Sequence, residues 1–160
     1  MSYAIVYSSH TGNTALLAQA LKETLPQTGC LYYGAPDARA LAADIIYVGF
    51  WTDKGTCDAA AAQFLQSLTC QQVFLFGTAG FGGNDTYFAQ ILERVQALLP
   101  EGAQCIGSYM CQGKMPQSVR ERYEGMEDSP RRTAMLENFD RALHHPDDAD
   151  LLRLKAAVTR

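Results

Sequence analysis

Tyr3-Ala4-Ile5-Val6-Tyr7-Ser8-Ser9-His10-Thr11-Gly12-Asn13-Thr14 decides how the rest of the chain is read. Five apolar, β-favouring residues run into a loop with four hydroxyls, one glycine and no lysine or arginine. The loop opens onto a helical pattern in which Leu17, Leu21 and Leu25 repeat every four residues. A helix N-terminus offers free N–H groups and a positive dipole end, which suits a phosphate. The hydroxyls add donors, and Gly12 lets the backbone approach closely. The missing lysine separates this loop from GxxxxGK[ST], and its spelling is not GxGxxG. A plain helix cap would need only one such hydroxyl residue.

Four more strand-like runs follow: residues 30–33 (CLYY), 44–50 (DIIYVGF), 72–77 (QVFLFG) and 103–109 (AQCIGSY). The two central runs are almost continuous in large apolar residues, as in strands buried on both faces. Helical stripes lie between them. Ala61, Leu65 and Leu68 form one; Phe88, Ile91, Leu92, Val95, Leu98 and Leu99 another; Met135, Phe139, Ala142 and Leu143 a third. Each stripe gives a helix one face to bury. Strands alternating with helices predict an α/β fold, a parallel sheet with helices on both faces. The link at residues 34–43 is short, so any helix there is brief.

Residues 110–131 are the least regular stretch, with a short helix expected at about 117–123. His144-His145-Pro146 should end the helix before it, leaving both histidines in solvent. Asp147 and Asp148 suit the first turn of a last helix carrying Leu151, Leu154 and Val158. Residues 1–145 thus read as one domain, with 146–160 a helical extension packed on it.

The 160 residues carry 13 Lys+Arg against 17 Asp+Glu, a net charge of −4, and 48% are hydrophobic. A chain of this size buries about 69% of its surface on folding, ample for one core, so disorder is excluded. Without a long basic block there is no footprint for nucleic acid. The apolar runs are too short to insert in a membrane, and MSYAIVYSS lacks the basic start of a signal peptide. Five cysteines without a CxxC pair fit reduced thiols in the cytoplasm. Cys30, Cys70 and Cys105 read as small buried apolar residues. Cys57 and Cys111 fall in loops, where exposure would make them redox-sensitive.

Ligands of doubly wound sheets sit beyond the carboxyl ends of the strands, at the switch point of strand order. The loop after the third run, Phe50-Trp51-Thr52-Asp53-Lys54-Gly55-Thr56-Cys57-Asp58, holds the only tryptophan. An indole there reads as a stacking wall for a flat ligand. The loop after the fourth, Gly77-Thr78-Ala79-Gly80-Phe81-Gly82-Gly83-Asn84-Asp85, surrounds one phenylalanine with glycines. Small residues let backbone amides approach a ring edge, and Phe81 could cover it. A phosphate cradle, an aromatic loop and a glycine-rich loop in this order describe one ligand with a phosphate tail and a flat head.

Ser9-His10-Thr11-Gly12-Asn13-Thr14, between strand and helix, resembles the flavodoxin phosphate loop, and residues 2–143 resemble the short-chain flavodoxin fold. The resemblance implies an open five-stranded parallel sheet of order 2-1-3-4-5, here with an extra C-terminal helix, and FMN bound non-covalently. It implies that Ser9, His10, Thr11, Gly12, Asn13 and Thr14 hold the phosphate. Trp51, Thr52, Asp53, Lys54 and Gly55 would line one side of the isoalloxazine, with Gly55 the flexible peptide near flavin N5. Thr78, Ala79, Gly80 and Phe81 would line its other side or edge.

The function implied is electron transfer to a partner reductase or oxidoreductase through a small, transient interface. Some flavodoxin-like proteins of anaerobes with similar loops accompany a partner that reduces a tetrapyrrole such as bilirubin, a specialisation that the resemblance implies here. The alternative is an FMN-dependent NAD(P)H oxidoreductase acting on a quinone-like or tetrapyrrole acceptor. Three features depart from the carrier pattern: the mild net charge, Lys54 beside the flavin, and the extra residues at 110–131 and after Pro146. The stretch from Gly107 to Gly113 ends at the carboxyl side of the fifth strand, where it could approach the flavin. A receiver domain would need an acidic cluster after the first strand, where Ser8-Ser9-His10 stands. The three histidines show no triad or zinc spacing.

Overall fold

A computed structural model describes residues 1–82 and 84–159. The strands are β1 (Tyr3–Tyr7), β2 (Cys30–Gly34), β3 (Ile45–Asp53), β4 (Thr56–Cys57), β5 (Gln72–Ala79) and β6 (Gln104–Gln112). The helices are α1 (Asn13–Thr24), α2 (Ala59–Gln66), α3 (Asp85–Gln96), α4 (Gln117–Glu124), α5 (Pro130–Ala142) and α6 (Asp148–Val158), and Ala38–Ala42 makes a short 3₁₀ turn. The sheet order is β2-β1-β3-β5-β6 with every one of these neighbours parallel. β4 is a two-residue antiparallel return on β3. Counted over the parallel strands alone, the order is the expected 2-1-3-4-5. The chain leaves β1 for β2 on one side and returns to β3 on the other, so the switch point lies beyond the carboxyl ends of β1 and β3.

The alternation of side chains along the strands builds two cores. Val6, Ile46, Val48, Phe50, Val73 and Leu75 face α2 and α3, meeting Leu65, Ile91 and Val95. Ile5, Tyr47, Phe74 and Phe76 face the other way, meeting Leu17 and Leu21 of α1 and Leu154 of α6. Burying one such side chain is worth about 1.5–3 kcal/mol, so both layers hold the sheet firmly. At the end of the sheet nearest the cleft, β3 and β5 interlock. Gly49 pairs with Phe76 and Phe50 with Gly77. A Cβ on either glycine would lie 2.3 Å from the facing phenylalanine ring.

Three strands run further than their apolar patterns suggest. β3 continues to Asp53, β5 to Ala79 and β6 to Gln112. Trp51, read as a loop residue, therefore stands on β3. It pairs with Thr78, and β4 folds back to pair Cys57 with Thr52. Polar residues end the hydrophobic pattern while neighbouring strands continue the hydrogen-bonded ladder.

The cysteines reverse their expected places. Cys57 and Cys111 are buried, Cys30 and Cys105 half-buried, and Cys70 exposed. Burial pushes the Cys57 thiol up to about 11 and raises that of Cys111 too. His145 is likewise not free in solvent, since its Nδ1 lies 2.6 Å from Oδ2 of the buried Asp150. Asp150 forms a capping box with Asp147 at the start of α6, which draws the histidine in. His144 is exposed. No helix among the described residues is long and apolar enough to cross a membrane.

Candidate functional site

The loop after β1 turns into α1 through Gly12, whose φ of 88° is left-handed. Gly12, at the N-cap, has no side chain to cap the helix. Its first main-chain bond runs from Leu16 N–H to the Gly12 carbonyl, and Ala15 N–H donates to Ser9 Oγ at 3.3 Å. The backbone at Gly12 faces open space, with nothing within 4 Å of where a Cβ would stand. This leaves a seat of main-chain donors at the positive end of a helix.

The side chains of the same loop are largely committed to the protein. Thr14 is fully buried, its hydroxyl 3.1 Å from the Phe50 carbonyl and 3.2 Å from Thr78 Oγ1. Asn13 Nδ2 donates to Thr11 Oγ1 and to the Lys114 carbonyl, each at 2.8 Å. Thr11 Oγ1 donates to that carbonyl at 3.1 Å. Asn13 Oδ1 is buried without a partner among the described residues.

Trp51 is fixed from α2. Its N–H donates to Asp58 Oδ1 at 3.2 Å, and its carbonyl accepts from Asp58 N–H at 3.0 Å. Asp58 also caps α2 by accepting from Ala61 N–H at 3.2 Å. The His10 ring stacks on the indole, centroids 4.9 Å apart and planes 26° apart. Lys54 and Gly55 make the β3–β4 turn with φ of 54° and 84°. The Gly55 carbonyl accepts from Arg94 Nη1 of α3 at 2.8 Å. Across the cleft, the Gly80 carbonyl accepts from Gln112 Nε2 and Asn138 Nδ2. Phe81 stays 42% exposed. Gly83, part of that loop, lies outside the described residues.

These elements enclose a cavity of about 420 Å³. His10, Thr11, Asn13, Trp51, Thr52, Asp53, Lys54, Gly55, Thr78, Ala79, Gly80 and Phe81 all line it; Ser9, Gly12 and Thr14 do not. Six residues outside the sequence-based set complete the wall: Tyr87, Lys114, Met115, Pro116, Val119 and Arg122. Five of them come from one segment that leaves β6 and crosses to the phosphate-type loop. Its Gly113 packs on Asn13 so closely that a Cβ would lie 2.4 Å from Asn13 Nδ2. The stretch from Gly107 to Gly113, read in the sequence as able to approach the ligand, is the signal for this approach.

The fold and cleft define a doubly wound protein with a cavity at its switch point, and comparison gives the family. The chain belongs to the flavodoxin family, whose flavodoxin-domain model matches residues 4–159. It is 41% identical to the flavodoxin-like domain-containing protein BilS of Clostridium symbiosum, over 94% of this chain and 90% of that one. A second BilS, from Clostridioides difficile, is 28% identical over the same shares. Among solved structures, the two-electron reduced flavodoxin of Megasphaera elsdenii matches with a TM-score of 0.51 at 21% identity, covering 88% of this chain and 99% of that one. A Lactobacillus acidophilus flavoprotein solved in complex with FMN matches with a TM-score of 0.52 at 14% identity, over 68% and 92%. At these identities the structural likeness speaks for the fold.

Proposed function

We propose that this chain binds FMN non-covalently and works as an electron-transfer protein, passing electrons to a partner reductase or oxidoreductase. The supporting observation is one cleft that joins the first turn of α1, at Asn13, to an aromatic wall. The donor set fits. Main-chain N–H groups at Gly12 and the start of α1 would hold the phosphate. Asn13 Oδ1, short of a donor, suits a chain bearing hydroxyls, as ribityl does. Trp51 and the Thr52–Gly55 turn would line one face of the ring system, and residues from Thr78 to Phe81 its other side or edge. Bound FMN would supply one- and two-electron redox chemistry, which the protein tunes through backbone contacts and charge. Trp51, braced by Asp58 and His10, would keep water from one ring face. Lys54 would favour negative charge on the flavin, raising its potential. Phe81, at the exposed rim, would meet the partner.

The second reading, an FMN-dependent NAD(P)H oxidoreductase with a quinone-like or tetrapyrrole acceptor, draws on Arg122 and the wall beside it, which extend the cavity beyond the three loops. An anaerobic reductive titration followed by visible absorption separates the two. A yellow protein reduced in two resolved one-electron stages supports the carrier. Direct bleaching by NAD(P)H alone supports the enzyme. A colourless protein that takes up no added FMN removes both readings.

A further inference from the structure

We infer that Lys114 supplies the counter-charge for the ligand's phosphate, making a cradle that is neutral in its own sequence selective for a phosphorylated flavin. The inference rests on the FMN reading and adds a binding residue from a distant part of the chain. The side chains expected to coordinate the phosphate are largely spent elsewhere. Thr14 is fully buried against Phe50 and Thr78, and Thr11 and Asn13 both donate to the Lys114 carbonyl. Main-chain N–H groups and the exposed Ser9 hydroxyl then face a dianion with no lysine or arginine in their own loop. Lys114 is sewn to this loop by those two bonds and held from behind, its own N–H donating to the His145 carbonyl at 3.1 Å. The preceding Gly113 donates to the Ala79 carbonyl at 3.0 Å. The lysine side chain is exposed and lines the cavity. Asn13 is 7% exposed with its acceptor Oδ1 unpartnered among the described residues, so the corner beside Lys114 lacks a donor that the ligand's ribityl hydroxyls would supply next to the phosphate.

The test is equilibrium binding of FMN and of riboflavin, by quenching of flavin fluorescence, to the wild type, Lys114→Gln and Lys114→Arg. Lys114→Gln should weaken FMN about tenfold, the size of one charge-assisted hydrogen bond, and leave riboflavin unchanged. It should also flatten the salt dependence of FMN binding, and Lys114→Arg should restore most of both. Equal losses for FMN and riboflavin, or no loss for either, overturn the assignment while leaving the FMN reading intact. Wild-type protein that binds neither flavin overturns the FMN reading itself.

Discussion

Asn13 is held from two sides of the cleft. Its amide N–H₂ joins the phosphate-type loop to the segment after β6, and Gly113 presses on it from behind. Gly113→Ala would put a methyl group 2.4 Å from Nδ2, and the asparagine cannot yield without breaking two hydrogen bonds. We expect a loss of about 1–3 kcal/mol of stability, typical of overpacking, and flavin affinity reduced by at least about tenfold, with far-ultraviolet circular dichroism unchanged. Full retention of FMN in that variant would show that the crossing segment plays no part in the site. Cys57 gives a second prediction. Its buried thiol holds its proton more tightly in the folded chain, up to about 11 against an ordinary 9.0. The unfolded chain therefore binds fewer protons between those values, and stability falls as pH rises. The contribution is complete below about pH 9 and is lost on passing through about pH 11. Urea unfolding across that window should show a steeper alkaline decline for wild type than for Cys57→Ala. Parallel declines would place the loss on other groups, such as Tyr33, whose hydroxyl burial pushes up to about 12.

Among the elements, the β3–β4 hairpin gives the cavity five lining residues, Trp51 to Gly55, and it is pinned from two helices. Asp58 of the α2 cap holds Trp51, and Arg94 of α3 holds the Gly55 carbonyl. Asp58→Ala removes the cap and leaves Trp51 N–H without its acceptor. A cost of about 1–2 kcal/mol is expected from the cap alone, with tryptophan emission shifted to the red. Arg94→Met should act differently, since its bond is exposed. Amide exchange in the hairpin should quicken while the amides of α2 and α3 keep their protection, and an unchanged hairpin would mean the turn holds itself. Strand and helix identities were legible because β-rich runs and four-residue stripes are written locally. Their ends were not. Whether β3 stops at Phe50 or runs on through Trp51 depends on Thr78, paired from 27 positions away, and no window around Trp51 contains that information. The same holds for Cys57, which looks like a loop residue until β4 folds it against Thr52.

At the scale of the whole molecule, the sheet order makes the cleft. Because β1 lies between β2 and β3, the loops after β1, β3 and β5 converge at one end, which is why twelve residues chosen from three separate loops line one cavity. The sequence could rank those loops by composition, but it could not show that residues 114–122 close the fourth side, because that wall depends on where β6 ends and how the chain turns back. Closure of the cleft by distant segments has a thermodynamic consequence. The ligand would touch the starts of α1 and α4 and the ends of β3 and β5 together, so it should bind the folded chain and not the unfolded one. Saturating FMN at about 100 times its dissociation constant should then add about 2.7 kcal/mol. For a chain of this size that is a rise in Tm of about 5–11 °C. Riboflavin at the same concentration should give a smaller rise, since it has no phosphate to meet the main-chain donors at the start of α1. Thermal melts with each flavin decide it. Equal rises would remove the phosphate from the binding energy, and no rise with FMN would mean that the assembled cleft is not a flavin site.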